Sequence, residues 1–402
     1  MAEGGTVAAM RVGIRLIQYL GSPSDVVDLA VHAEECGLDE VWVPHDPFMT
    51  SAWAVTSAIA ARTERITIGS IGTNPYTTDP SEIAAYLATL DLLSHGRAAL
   101  GLGLHTEEMV RWLGYDPGDL PERLRSSVAT VRALLSGEAV TEPNGPYAWG
   151  EECRLRFEPL RPDPPIYVAG FGAELLRLGG AIGDGVMPMA TPPESVCELS
   201  SDIHAGAIAA GRDAADVEVV ACAWLSIGSP HGPATHRLRQ MVATFGPFLE
   251  ERALATIGLM PADFDEIKTL VDAGQLDKAA VQVTQPMMRL ALIGSADEAA
   301  ERIVALAEAG VTNVSLGGAF GDDPREAIRL IGEEIAPACR SAECRRPRRC
   351  HLAPVTGRAT LHLAKARFRI APTTPSRRPV GGGEASTVKR RMRTAACFYE
   401  AL

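Results

Sequence analysis

Short strand-like runs alternate with helical segments along most of this 402-residue chain. The first run, residues 11–17 (RVGIRLI), precedes a stretch at 25–36 whose apolar residues have helical spacing. Further strand-like runs follow at 40–43, 66–71, 98–102, 165–169, 185–187, 217–227 and 311–316. Eight strand–helix units, with no GxGxxG after the first strand, predict an α/β protein built as a closed (β/α)8 TIM barrel rather than a dinucleotide-binding sheet.

The charge of the chain divides it into two parts. From Arg340 to Leu402 there are 15 Lys and Arg against three Asp and Glu, a net charge of +12; with a total of −12, the part up to Cys339 carries about −24. The basic part is rich in Arg and Pro and lacks periodicity, which is typical of disordered segments. We therefore expect one barrel domain over residues 10–338, with an insertion region at 230–289, and a disordered basic tail over residues 339–402.

The composition also limits which binding partners and which cellular compartment we expect for this chain. The acidic barrel argues against nucleic-acid binding, and no window approaches the roughly 18 consecutive apolar residues of a membrane helix. Residues 1–10 lack the basic and apolar regions of a signal peptide. The cysteines of the acidic part are scattered singly, and those of the tail lack the tight CxxC pair of most zinc sites. We expect a cytoplasmic protein without a metal that acts on a small-molecule substrate.

The carboxyl ends of the predicted strands select the candidate site residues, because barrel enzymes place their chemistry there. Polar side chains follow the second and fourth strands, and those that can exchange a proton are His45, Asp46, His105 and Glu107. Small and polar residues follow the third and fourth strands, namely Gly72, Thr73, Asn74, Gly103 and Thr106. For His45 and Asp46 a structural interpretation also stays open, with a packed imidazole and a carboxylate that caps a helix.

The turn after the fifth strand, Gly170-Phe171-Gly172, enters a helix at Ala173 directly. Unhindered backbone N–H groups at the positive end of that helix could hold a phosphate group. A plain strand-to-helix turn has the same pattern, so the two interpretations both stay open from the residues alone.

Several separated motifs resemble one known family. These motifs are residues 73–77 (TNPYT), 89–97 (TLDLLSHGR), 101–103 (GLG), 166–170 (IYVAG), 181–185 (AIGDG) and 330–335 (LIGEEI). Together they resemble the luciferase-like monooxygenase superfamily, and within it the coenzyme F420-dependent oxidoreductases typified by methylenetetrahydromethanopterin reductase. The resemblance runs in order from Met10 to Ala338.

The resemblance implies a bacterial luciferase-like barrel that holds a deazaflavin ring at the strand ends. It implies a non-prolyl cis peptide at Ile71-Gly72, coenzyme phosphate at residues 170–173, and ring contacts from His45, Asp46, Asn74 and the loop 103–107. Two departures limit the substrate. Arg15 stands where the reductases carry a Glu, and residues 187–192 lack the Lys of the sugar-phosphate dehydrogenases.

The activity implied is hydride transfer between C5 of the deazaflavin of coenzyme F420 and a C=N or C=C bond of a small organic substrate. One alternative is an FMN-dependent monooxygenase on the same barrel. A second alternative is a catalytically silent barrel that acts as a subunit or binding protein, which Arg15 in place of an acid favours. The resemblance also implies pairing into a homodimer through the early helices.

Overall fold

The computed structural model describes residues 10–104, 110–111, 113–116, 118–141, 149–228 and 232–341. Within these residues the chain forms nine strands: β1 (Arg11–Arg15), β2 (Glu40–Pro44), β3 (Thr67–Thr73), β4 (Ala98–Gly103), β5 (Ile166–Gly170), β6 (Gly185–Pro188), β7 (Glu218–Ile227), β8 (Ala291–Gly294) and β9 (Asn313–Phe320). The predicted tail from residue 342 onward lies outside the described residues, so its disorder stays a prediction.

Eight of these strands close into a parallel ring. Strands β1 to β6 follow one another in chain order, β7 pairs with β6 and β9, and β9 pairs with β1. The register between β1 and β9 joins Arg11 to Asn313 and Arg15 to Gly317. The predicted (β/α)8 barrel is therefore confirmed.

Strand β8 is absent from the predicted set. It pairs with the last four residues of β7, from Trp224↔Ala291 to Ile227↔Gly294, beyond the part of β7 that pairs with β6. Because β7 is longer than β6, its final residues need another partner for their backbone groups, and β8 supplies it. A four-residue strand carries too little periodicity to be recognised from sequence.

The described helices surround the barrel. They are α1 (Pro23–Glu35), α2 (Ala52–Ala60), α3 (Pro80–Leu93), α4 (Leu120–Leu135), α5 (Ala173–Ile182), α6 (Val196–Ala209), α7 (Pro233–Phe245), α8 (Glu251–Ala255), α9 (Asp265–Asp272), α10 (Leu276–Gln282), α11 (Ala296–Glu308), α12 (Pro324–Leu330) and α13 (Ala336–Ser341). Local sequence sets several starts: Ser22 and Asp25 form a capping box for α1, and the Asp79 side chain caps α3 ahead of Pro80.

The insertion region, predicted at 230–289, folds into α7 to α10. Its apolar side chains form a second cluster that includes Trp224 of β7, with Leu238, Met241 and Phe264 among its buried members. Burial of this cluster fixes the insertion against the carboxyl end of the barrel. Residues from α7 can therefore reach the site described below.

The amino end of the barrel is closed by an ion network. The buried Glu40 carboxylate accepts hydrogen bonds from Trp42 Nε1 and Asn313 Nδ2, both at 2.9 Å, and Arg11 Nε lies 3.0 Å from Glu40 Oε1. Burial raises the pKa of Glu40, and the Arg11 guanidinium opposes that shift. The network satisfies charges that the barrel interior would otherwise leave uncompensated.

The last helix extends the barrel domain slightly past the predicted boundary. Cys339, which the sequence assigns to the tail, is buried in the main apolar core, and Arg340 donates hydrogen bonds to the Gly37 carbonyl and to Asp39. No helix among the described residues is long and apolar enough to cross a membrane.

Candidate functional site

An apolar cavity lies at the carboxyl ends of the barrel strands. Its walls include Met187, Met189, Trp224, Met241 and Phe245, and its ionisable lining residues include Arg15 and Asp46. The strands bring these side chains together from distant parts of the chain, as expected for a barrel site. The cavity can therefore hold a ligand with a large apolar surface and a few polar contacts.

The structure separates the two predicted residues after β2. Asp46 lines the cavity, whereas the His45 ring is stacked against Trp53 with centroids 5.4 Å apart and 25° between the planes. Trp53 is in turn stacked on Tyr86, at 4.4 Å. The His45 backbone N–H donates to the Ile71 carbonyl at 2.8 Å. Of the two, Asp46 is the better placed to meet a ligand in the cavity.

Strand β3 carries a bulge, but the cis peptide that the resemblance implies at Ile71-Gly72 is wrong. The register with β4 shifts between Ser70 and Thr73, and the described residues contain no cis peptide bond. Gly72 instead has a φ of 74°, in the left-handed region that glycine adopts without a steric penalty. This conformation turns the chain, so that Ile71 and Gly72 line the cavity through trans peptides.

The two residues after the bulge differ in what they offer a ligand. The Thr73 hydroxyl pairs with Ser70 Oγ at 2.9 Å. Asn74 is 2% exposed, and its Oδ1 accepts a hydrogen bond from the Tyr76 backbone N–H at 2.8 Å. That bond fixes the orientation of the amide, and Asn74 Nδ2 has no partner among the described residues. A buried donor without an acceptor is costly, but Asn74 is not among the residues that line the cavity, so its contact with a coenzyme ring stays a prediction.

Gly103 has a structural reason to be glycine. A Cβ there would lie 2.1 Å from the Ala169 carbonyl oxygen of β5, so barrel packing alone excludes a side chain. The other predicted residues of this loop, His105, Thr106 and Glu107, lie outside the described residues. Their roles stay predictions.

The turn after β5 has an acidic neighbour, Glu250, which is not among the predicted site residues. Gly170 and Phe171 line the cavity, Gly172 has a φ of 102°, and α5 begins at Ala173. The Ala173 N–H donates to both carboxylate oxygens of Glu250, at 3.3 and 3.2 Å. The helix N-terminus predicted to hold phosphate therefore already binds an anion, a carboxylate of this chain.

Arg15 is a charged cavity residue that the predicted site set omits. It is 6% exposed, its Nη1 donates to the Ser315 carbonyl, and its Nη2 donates to the Ala223 carbonyl at 3.1 Å. The sequence could have indicated Arg15, because it lies at the carboxyl end of the first strand, where barrel enzymes place their chemistry. Arg15 in place of the Glu of the reductases indicates a change of ligand as readily as a loss of function.

Two further groups lie near Arg15, and burial disfavours the charged form of each. Burial raises the pKa of the Tyr19 phenol, and its hydroxyl donates to Met241 Sδ at 3.2 Å. Burial likewise raises the pKa of the Cys222 thiol, which lines the cavity. Both groups favour an apolar ligand at this end of the barrel.

The fold and the position of this cavity define a barrel of the luciferase-like type. The sequence model of the luciferase-like monooxygenase family matches residues 3–313, and the chain belongs to that family. The predicted family is confirmed.

Named relatives are oxidoreductases. The 5,10-methylenetetrahydromethanopterin reductase of Methanolobus tindarius is 31% identical over 78% of this chain and 97% of the relative. The F420-dependent glucose-6-phosphate dehydrogenase of Amycolatopsis mediterranei is 28% identical over 83% of this chain and 99% of that protein.

A solved structure shares the fold. The coenzyme F420-dependent tetrahydromethanopterin reductase of Methanopyrus kandleri superposes with a TM-score of 0.72 at 25% identity, covering 82% of this chain and 99% of that one. These similarities confirm the prediction of an oxidoreductase.

Proposed function

We propose that this chain is a coenzyme F420-dependent oxidoreductase that transfers a hydride between the deazaflavin and a C=N or C=C bond of a small organic substrate. The observation that carries the proposal is the apolar cavity at the strand ends, with the β3 bulge at Gly72 on its wall and the Asp46 carboxylate among its lining groups. Similarity to a reductase and to a dehydrogenase named as F420-dependent supports the choice of coenzyme.

The residues present fit the ring of such a coenzyme. Ile71 and Gly72 would contact one face of it, and Gly170 and Phe171 would border it. Asn74 Nδ2, which has no partner among the described residues, is the donor that we assign to one of its polar atoms. When bound, the deazaflavin supplies or accepts a hydride at C5. The protein's part is to hold the reacting carbons together in a cavity that excludes most water.

A proton must accompany the hydride, and Asp46 is the described candidate that lines the cavity. A carboxyl group within reach of the reacting atoms can hold or release a proton there. His45 is the second candidate, although its ring lies against Trp53. His105 and Glu107 stay predicted candidates from the loop after β4.

The runner-up function is an FMN-dependent monooxygenase, which the description of the matching family favours. The same apolar cavity would hold a flavin ring. A deazaflavin lacks the N5 nitrogen of a flavin and reacts poorly with oxygen, so the two functions differ in the coenzyme bound and in aerobic turnover.

Titration of the purified full chain with oxidised F420 and, separately, with FMN tests the proposal through quenching of coenzyme fluorescence. We expect an F420 dissociation constant on the order of micromolar and much weaker FMN binding. Tight FMN binding with weak F420 binding would move the function to the monooxygenase. Binding of neither coenzyme would reject both and leave the silent barrel as the remaining hypothesis.

The division into a catalytic barrel, predicted at residues 10–338 and extended by the helix that ends at Ser341, and a separate tail is part of this proposal, as are the homodimer and the cytoplasmic compartment. Light scattering after gel filtration measures the assembly. A monomeric mass would reject the homodimer without affecting the proposed chemistry.

A further inference from the structure

Arg15 places a full positive charge inside an apolar cavity. A guanidinium remains protonated at every physiological pH, and this one is 6% exposed. Its two described backbone partners, the carbonyls of Ser315 and Ala223, orient the group but carry no net charge. Arg15 also lines the cavity, where it contacts the neutral Cys222 thiol.

No carboxylate of the described residues forms an ion pair with Arg15. Asp46 lines the same cavity from the neighbouring strand, but no ion pair joins it to Arg15 among the described residues. The buried Glu40 is engaged at the opposite end of the barrel by Arg11. A buried charge is costly unless it is paired, so an unpaired Arg15 points to an anion that comes from outside the chain.

The barrel makes room for this guanidinium. Gly317 of β9 lies opposite Arg15 in the register, and a Cβ at Gly317 would come within 2.8 Å of Arg15 Nη2. The glycine lets the arginine extend across β9 to the Ala223 carbonyl of β7. The guanidinium of Arg15 is therefore held in one orientation. A fixed guanidinium favours a specific hydrogen-bonded contact with a ligand.

We propose that the substrate is a small, largely apolar molecule with one carboxylate, and that Arg15 binds this carboxylate. One cation balances one negative charge, and the walls formed by Met187, Trp224 and Phe245 suit an aromatic or aliphatic body. The inference rests on the proposed function for the reaction itself. It assigns to Arg15 a role in substrate specificity.

Benzoate and benzamide are matched probes, because they share size and shape and differ in charge. Isothermal titration calorimetry of the full chain without coenzyme should show benzoate binding about tenfold tighter than benzamide. Arg15→Met should abolish the preference, and Arg15→Lys should retain part of it, since Lys keeps the charge but not the planar fork.

Gly317→Ala is an independent variant that leaves Arg15 in the sequence and displaces its guanidinium. It should reduce the benzoate preference while far-UV circular dichroism and the urea midpoint show a folded barrel. Equal binding of the two probes by the wild type, no binding of benzoate, or a preference that survives in Arg15→Met would each overturn the inference. The titration needs no coenzyme, so its failure is separate from a failure to bind F420.

Discussion

The Glu250 carboxylate accepts a hydrogen bond from the Ala173 backbone N–H at the start of α5, with N–O distances of 3.3 and 3.2 Å. Glu250 belongs to the insertion region, 77 residues further along the chain. It occupies the positive end of α5, where the sequence predicts a coenzyme phosphate. A phosphate that binds there must displace this carboxylate.

Glu250→Ala should therefore strengthen binding of F420. A charge at a helix terminus is worth a fraction of a kcal/mol to about 1 kcal/mol, so we expect affinity to rise about two- to fivefold at low salt. Fluorescence titration measures the change. The matched control is Glu251→Ala, which removes the same charge from the next residue, on an exposed position. An equal gain in both variants would indicate general charge repulsion instead.

Asn74→Asp should weaken coenzyme binding with little loss of stability. The substitution keeps an oxygen to accept from the Tyr76 N–H and replaces the unpartnered Nδ2 donor with a second acceptor. Loss of a buried hydrogen bond together with an unfavourable acceptor pair predicts about tenfold weaker F420 binding. An unchanged dissociation constant would show that Asn74 Nδ2 does not meet the coenzyme.

Asp46→Asn should lower kcat about a hundredfold, because the amide cannot exchange a proton with the substrate. His45→Gln should lower kcat less than about tenfold, since the imidazole is stacked on Trp53. Stopped-flow oxidation of reduced F420 measures both, with a substrate found by screening imines and enones. A larger loss of kcat in the His45 variant than in the Asp46 variant would assign the proton transfer to His45.

Asp91→Ala should destabilise the barrel without touching the cavity. Asp91 is 1% exposed, pairs with Arg161 through Nε at 2.9 Å and Nη2, and accepts from the Ala98 N–H at 3.2 Å. Removing one partner of such a pair costs about 3 kcal/mol in free energy of unfolding. Urea titration measures it. The control, Arg156→Ala, breaks the exposed ion pair with Glu152 and an exposed hydrogen bond to its carbonyl, and should cost less than about 1 kcal/mol.

Glu34 should make stability depend on acid pH. Burial alone would raise the pKa of this carboxyl, but the backbone N–H groups of Glu64, Arg65 and Ile66 outweigh it and hold the pKa below its usual range. A lowered pKa in the folded state gives a stabilisation that is complete above the unfolded value of about 4.3 and is lost as the pH falls below it.

Glu34→Gln should therefore be less stable than the wild type by about 2 kcal/mol at pH 7, with the difference shrinking on acidification below about pH 4. Urea midpoints across this range measure it. Glu35→Gln, at the exposed neighbouring position, should keep the wild-type profile. A difference that stays constant with pH would assign the loss to packing and not to charge.

Local signals predicted much of the fold because they act within a few residues. The apolar spacing at 25–36 predicted a helix, and the structure has α1 at Pro23–Glu35, which begins at the capping box of Ser22 and Asp25. Strand β8 was not predicted, because it forms by pairing with the free edge at the end of β7. That free edge is a property of the closed barrel.

The candidate site shows the same division. That Asp46 and Gly170 lie at strand ends follows from counting strand–helix units, because parallel barrel strands all end on one face. Whether the bulge at Gly72 needs a cis peptide does not follow, since the φ of one glycine can turn the chain equally well.

Sequence alone determined the barrel, the family and the face that holds the site, because periodicity, caps and motifs depend only on residues that are close together in the chain. Tertiary structure alone decided that Asp46 lines the cavity while His45 stacks on Trp53. It also decided that Glu250 reaches Ala173 and that Arg15 lies without an ion-pair partner among the described residues. These relationships join residues far apart in the chain, and only packing of the closed barrel and its insertion sets such distances.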